Sequence, residues 1–69
     1  MTMLKVIEVL AESGDSWEDA AQKAVAEASE TLRHVRSIYL ENLQATVENG
    51  RIARYRINAK ITFALDGGD

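Results

Sequence analysis

Cysteine is absent from the 69-residue sequence, and histidine occurs once, as His34. No disulfide can therefore form, and one histidine alone cannot assemble a structural zinc site. A chain of this size buries only about 60% of its unfolded surface, and ordering it costs roughly 1.5 kcal/mol per residue. Contact between subunits is the remaining way to supplement so small a core. We therefore expect a homo-oligomer.

Long apolar runs are also lacking, since none approaches the roughly 20 residues of a membrane span. The opening segment MTMLKVIEVLAESGD combines one lysine with nearby acids and does not resemble a signal peptide. Eight basic and eleven acidic residues give a net charge of −3, the wrong sign for a surface that releases counterions from nucleic acid. These features predict a cytoplasmic protein with neither nucleic-acid nor membrane partners.

Catalytic groups are scarce as well. His34 has no Ser-His-Asp spacing around it, and no nucleophile, base and orienting group share one neighbourhood of the sequence. We therefore expect that the protein is not an enzyme. Instead, we predict that His34 lies near Arg33 and Arg36 at the C-terminus of a helix, where positive charge complements the helix dipole.

The first half of the chain predicts a strand followed by a helix. Residues 3–10 are aliphatic or β-branched at both parities, which is typical of a strand covered on both faces, and residues 11–15 predict a turn. Ser16 can cap the first turn of a helix, and Asp19, three residues later, can form a hydrogen bond back to the cap residue. Apolar residues then recur at helical spacing as far as residue 35, which predicts a helix of about 19 residues.

The second half predicts two strands joined by a tight turn. Apolar positions change parity around Glu41 and Asn42, which indicates a bulge or bend. Asn49-Gly50 is a strong hairpin signal, and residues 51–65 alternate between apolar and polar side chains. The DGGD tail is expected to fray.

The predicted fold is a single α+β domain over residues 1–69. It has β-α-β-β order, with a three-stranded antiparallel sheet packed on one helix. Its open strand edges, in particular that of a long third strand such as residues 51–65, favour pairing between symmetric subunits.

Several side chains have both a structural and a ligand-binding interpretation. Acids cluster around the helix start, where capping and binding of a hard cation are alternatives, although the spacing does not match the twelve-residue calcium loop. Glu41 and Asn42 are of special interest because a bulge can aim side chains at a symmetry axis. The aromatic residues near the strands and helix entry are expected to pack rather than to bind a ligand: Trp17, Tyr39 and Tyr55.

Two long segments, SWEDAAQKAVAEASETLRHVRS and YRINAKITFAL, together resemble the dodecin family over about residues 3–66. The resemblance rests on the Ser-aromatic helix opening, the Thr-Leu-Arg-His helix end, and the third-strand spacing of Tyr55, Ile57, Lys60, Phe63 and Leu65. It implies a hollow homododecamer with 23 symmetry that stores stacked flavins near its two-fold axes. No bond is made or broken in such storage.

The resemblance also implies which residues would form the site. A stacking tryptophan of flavin-binding members aligns with Ser37, and a glutamine that bonds the flavin edge aligns with Arg56. Serine offers no aromatic face, and arginine has five donors but no acceptor, so binding of riboflavin or flavin mononucleotide (FMN) should be weakened or altered.

A subgroup of dodecin-like proteins lacks the tryptophan, and some of its members resemble calcium binders. The family's acidic channel positions on three-fold axes correspond to Asp15 and Asn42. With Glu41 at the bend, these residues predict a calcium or magnesium site as the alternative. Three functions stay open at this point: a flavin-type small-ligand storage shell, a divalent-cation binding assembly, and a structural oligomer with a vestigial pocket.

Overall fold

The computed structural model describes residues 2–65, which form the four elements β1 (Leu4–Ser13), α1 (Trp17–Thr31), β2 (Val35–Glu48) and β3 (Arg51–Ala64). This order confirms the predicted β-α-β-β arrangement. All strand pairs are antiparallel and belong to one sheet. No helix within the described range is long and apolar enough to cross a membrane. The tail that was expected to fray, residues 66–69, lies outside the described residues.

The strand order is β1-β3-β2, so β3 lies at the centre of the sheet. The expectation that the third strand would offer an open edge was therefore wrong. Strands β1 and β2 both run antiparallel to β3 and hence parallel to each other. Parallel strands are joined by a crossover such as α1, and the crossover leaves a place between them for β3. The free edges belong to β1 and β2.

Helix α1 begins as the sequence predicts. The Ser16 side chain accepts a hydrogen bond from the backbone N–H of Asp19 at 2.9 Å. This bond satisfies one of the backbone donors that the first helical turn leaves free.

The end of α1 differs from the prediction, because the helix stops at Thr31 and its last turn has no basic residue. The cap residue Leu32 is extended, and His34 adopts a positive φ of 59° that turns the chain into β2. Val35, which continued the apolar helical stripe, instead pairs with Phe63 in the sheet. The predicted charge role of Arg33, His34 and Arg36 at the helix end was thus wrong.

Both local features of the second half are confirmed. Asn49 and Gly50 have φ values of 54° and 76°, as a tight hairpin turn requires. The register of β2 against β3 shifts between Leu40 and Asn42, which places the bulge at Glu41. Two further shifts occur near the ends of β2.

The core lies between α1 and one face of the sheet. Its buried residues include Ala20 from the helix and Ile57, Ala59 and Ile61 from alternate positions of β3. Side chains alternate along a strand, so the intervening residues of β3 point to the opposite side. We call this opposite side, which α1 does not cover, the open face.

Candidate functional site

A row of polar side chains runs along the middle of the open face. By the alternation of β3 it consists of Arg54, Arg56, Asn58, Lys60 and Thr62. Both positions predicted to bind flavin belong to this face, since Ser37 on β2 is opposite Thr62. The open face is therefore the candidate ligand surface.

A group of ion pairs on the open face joins β1 to β3. Glu12 Oε2 accepts a hydrogen bond from Arg56 Nε at 2.7 Å, and Glu12 Oε1 accepts one from Arg54 Nε at 3.2 Å. The hydrogen bond from Arg56, together with the charges of both guanidinium groups, lowers the pKa of Glu12 below its ordinary value. Much of the Arg56 charge is thus offset within the subunit.

Glu12 was not identified from the sequence as a partner of Arg56. The residue was assigned to the turn after the first strand, whereas β1 continues to Ser13 and brings Glu12 opposite Arg56. The opposite charges of the two residues were visible in the sequence, but their pairing depends on the register between two strands, and the residues are 44 positions apart in the chain.

The two predicted flavin positions are far apart within one subunit. Ser37 is exposed and opposes Thr62, and Arg56 lies six positions further along β3. At 3.3 Å per residue this separation is about 20 Å. A single chain therefore does not bring Ser37 and Arg56 to a common small ligand.

The predicted metal residues are also distributed. Glu41 Oε1 lies 3.6 Å from Lys60 Nζ on the open face, and Asn42 opposes Asn58 in the neighbouring register position. Asp15 lies in the turn before α1, where its backbone N–H donates to Ser13 Oγ at 2.9 Å. Within residues 2–65, no three acidic, histidine or cysteine side chains are grouped to hold a metal ion.

Acids at the start of α1 include Asp19, whose contacts are structural. Asp19 Oδ2 accepts a hydrogen bond from Ser13 Oγ at 2.6 Å and pairs with Lys23 Nζ at 2.9 Å. The hydrogen bond from Ser13 is the main reason that the pKa of Asp19 is lowered, and Lys23 adds to it. Capping, one of the two interpretations of this acidic cluster, is the role that these contacts support for Asp19.

The aromatic residues divide into two groups. Trp17 Nε1 donates to the Gln44 carbonyl oxygen at 2.9 Å, and its ring meets that of Tyr55 edge-on with centroids 4.9 Å apart. The packing role predicted for these two residues is confirmed. Tyr39 is different, because 65% of it is exposed, so the described residues of the chain do not provide the packing predicted for it.

One polar atom on the open face has no partner. The Asn58 Oδ1 atom is buried and accepts no hydrogen bond within the described residues. No periodicity in the sequence distinguishes Asn58 from the other polar residues of β3, so only its environment reveals it.

Residues 3–66 match the family model of dodecin. The match covers almost the whole chain. The chain belongs to the dodecin family. The predicted resemblance is thereby confirmed.

Relatives within the dodecin family are similar in sequence and fold. The calcium dodecin of Mycobacterium tuberculosis is 29% identical over 65 residues, which cover 94% of this chain and 92% of that protein. The structure of dodecin from Streptomyces coelicolor superposes with a TM-score of 0.89 at 29% identity, covering 94% of this chain and 93% of that one.

A solved calcium dodecin from Mycobacterium tuberculosis has a TM-score of 0.80 at 29% identity and covers 97% of this chain and 96% of its own. That protein is described as a calcium-chelating antigen with a novel calcium-binding site.

Proposed function

We propose that this dodecin-family chain forms a non-catalytic homododecameric shell that binds a small ligand on the open face. The observation that carries the proposal is the large apolar surface that one subunit leaves exposed. Leu10 is 70% exposed, Val47 65% and Ile52 53%, and they lie on different strands. Apolar side chains at this density on so small a chain indicate surfaces that other subunits cover.

Symmetric assembly fits the free edges of the sheet. Strands β1 and β2 each leave one side unpaired, and β2 is 14 residues long. Exposed edges of this length promote uncontrolled pairing unless they are covered, and a closed symmetric oligomer covers them in every subunit.

The ligand is a small molecule whose binding does not depend on flavin stacking at Ser37. An aromatic platform contributes about 0.5–1.5 kcal/mol beyond its buried area, and a serine side chain cannot supply it. Arg56 is already paired with Glu12, so its charge is only partly available to a phosphorylated flavin. We therefore expect riboflavin and FMN to bind similarly, and both weakly.

Flavin binding can be tested by restoring the two residues of the family pattern. The unmodified protein should bind riboflavin with a dissociation constant in the micromolar range or above. Quenching of riboflavin fluorescence measures this constant. The double variant Ser37→Trp/Arg56→Gln should bind at least about tenfold more tightly, because it adds a stacking surface and a hydrogen-bond acceptor.

Single variants serve as controls for this experiment. Ser37→Trp alone should recover part of the gain, and Arg56→Gln alone should recover little, because stacking supplies most of the energy. Tight riboflavin binding by the unmodified protein would refute the role assigned to Ser37, and an unchanged double variant would refute a flavin-type pocket.

A divalent-cation function is the second candidate, favoured by the similarity to calcium dodecin. Glu41 and Asn42 offer carboxylate and amide oxygens at the bulge, and Asp15 offers a carboxylate in the turn before α1. These are the ligand types that calcium and magnesium prefer. Because one subunit does not group them, the site in this proposal combines residues of several copies.

The cation proposal predicts that calcium raises the melting temperature of the assembled protein. Saturation at 100 times the dissociation constant adds about 2.7 kcal/mol for one site. Asp15→Asn and Glu41→Gln should reduce the calcium-dependent rise, whereas Glu18→Gln, which removes a nearby exposed charge, should leave it unchanged. If neither calcium nor a chelator changes the melting temperature of the parent, the cation proposal fails.

A further inference from the structure

An apolar groove lies between α1 and β1, away from the open face. Its volume is about 410 Å³. Apolar side chains from both elements line it, among them Ile7, Val9 and Ala28, together with the acidic Glu27 and Glu30. The groove borders the free edge of β1. We call it the α1–β1 groove.

The hairpin formed by β2 and β3 projects beyond the rest of the sheet. Pairing of β1 with β3 ends at Tyr55, but pairing of β2 with β3 continues to Glu48 and Arg51. Residues 46–54 are therefore a two-stranded ribbon, which we call the hairpin arm. The arm contributes to the elongated outline of the molecule, 51 × 19 × 13 Å. A ribbon of two strands is only marginally stable without packing partners.

The tip of the hairpin arm carries apolar side chains that its own subunit does not cover. Val47 and Ile52 are opposite each other in the register, and they are 65% and 53% exposed. Together they present an apolar pair of the kind that is buried at interfaces.

Charges on the two surfaces are complementary. Arg51 follows the turn at the arm tip and, although Glu48 opposes it in register, forms no ion pair with any residue from 2 to 65. Glu27 and Glu30 of the groove are likewise without ion pairs in this range. A basic, apolar tip therefore matches an acidic, apolar groove.

We infer that the hairpin arm of one copy of this chain docks into the α1–β1 groove of a neighbouring copy. The inference rests on the proposed assembly and names the surfaces that build it. Since the arm and the groove are different parts of the chain, the contact is heterologous, and each subunit both provides an arm and receives one. Contacts of this kind build rings when the rotation between subunits closes.

Crosslinking tests this contact directly, because the chain has no cysteine of its own. We expect Ile52→Cys and Ala28→Cys, made in separate chains and then mixed and reassembled, to give a disulfide-linked pair under mild oxidation. Ile52→Cys mixed with Gln22→Cys is the matched control, since Gln22 is exposed on the same helix but does not line the groove. The control should give at least tenfold less linked product.

Charge reversal provides a second readout that needs no oxidation. Arg51→Glu should raise the protein concentration at which the particle dissociates about tenfold, and Glu27→Arg/Glu30→Arg should do the same. Combining all three changes should restore much of the assembly, which simple loss of folding would not. Circular dichroism checks that each variant is folded.

The outcomes separate this inference from the proposed function. A parent particle of about twelve subunits that shows neither the crosslink nor the charge effect would overturn arm docking and leave the shell intact. A folded monomeric parent at micromolar concentration would overturn the shell and arm docking together.

Discussion

Asp19 joins three contacts that hold the start of α1. Its backbone N–H donates to Ser16 Oγ, while its carboxylate accepts from Ser13 Oγ and pairs with Lys23 Nζ. Ser13 is almost completely buried, so its hydroxyl needs a partner inside the fold, and Asp19 supplies it. The carboxylate form of Asp19 is thus favoured by the folded state.

This preference predicts a specific acid sensitivity. Because folding lowers the pKa of Asp19, its carboxylate stabilises the fold above the unfolded pKa, and this contribution is lost as pH falls through the lower folded pKa. The affected window lies below about pH 4, the ordinary range of aspartate. Melting temperatures measured at fixed protein concentration should fall less steeply with acid in Asp19→Asn than in the parent.

Glu18→Gln is the control for this measurement, because Glu18 is also acidic and in the first helical turn. It should keep the parent's acid dependence. Equal slopes for the parent and Asp19→Asn would show that the Ser13 and Lys23 contacts do not stabilise the fold.

The sequence predicts only part of the candidate site, because residue types do not show which side chains come together. The departures from the family pattern at Ser37 and Arg56 are visible in the sequence, but their separation of about 20 Å follows only from the strand register. The pairing of Arg56 with Glu12 likewise depends on contacts between distant parts of the chain. Linear spacing also could not show that the Glu41 carboxylate approaches the Lys60 ammonium group.

At the scale of elements, the β2–β3 hairpin depends on its turn. Gly50 has a φ of 76°, and a Cβ atom added there would meet nothing within 4 Å. The Gly50→Ala change should therefore cost about 1 kcal/mol of unfolding free energy through backbone strain alone. Denaturant titration at fixed protein concentration measures this loss.

Gly14 offers a matched control in the turn before α1. Its φ is not in the left-handed region, and an added Cβ would lie 3.9 Å from Arg54 Nη1, an ordinary contact. Gly14→Ala should be neutral or stabilise by up to about 1 kcal/mol, because alanine restricts the unfolded chain. A loss as large as that of Gly50→Ala would contradict the role assigned to the turn conformation.

Short sequence patterns correctly predicted the features that depend only on residues close together in the chain. Asn49-Gly50 specified the turn, Ser16 the helix start, and the parity change at Glu41 the bulge, since each depends on a few neighbouring residues. The predicted end of α1 was wrong because Val35 fits the apolar stripe of a helix and the pattern of a strand equally well. Its pairing with Phe63, 28 positions away, decides between the two.

Strand order is a property of the whole molecule and was not visible in the sequence. The alternating pattern of β3 correctly predicted one core face, but no pattern indicated that β3 would enter between β1 and β2. This placement leaves the free edges on β1 and β2, and the α1–β1 groove lies beside the edge of β1. The surfaces available for assembly therefore differ from those expected of an exposed third strand.

The particle mass in solution tests the central claim most directly. Light scattering coupled to size-exclusion chromatography at micromolar concentration should give about 90 kDa, near twelve times the 7.6 kDa chain, in a closed symmetric particle. The mass should stay constant on dilution within this range. A folded species with the mass of one or two chains would contradict the account.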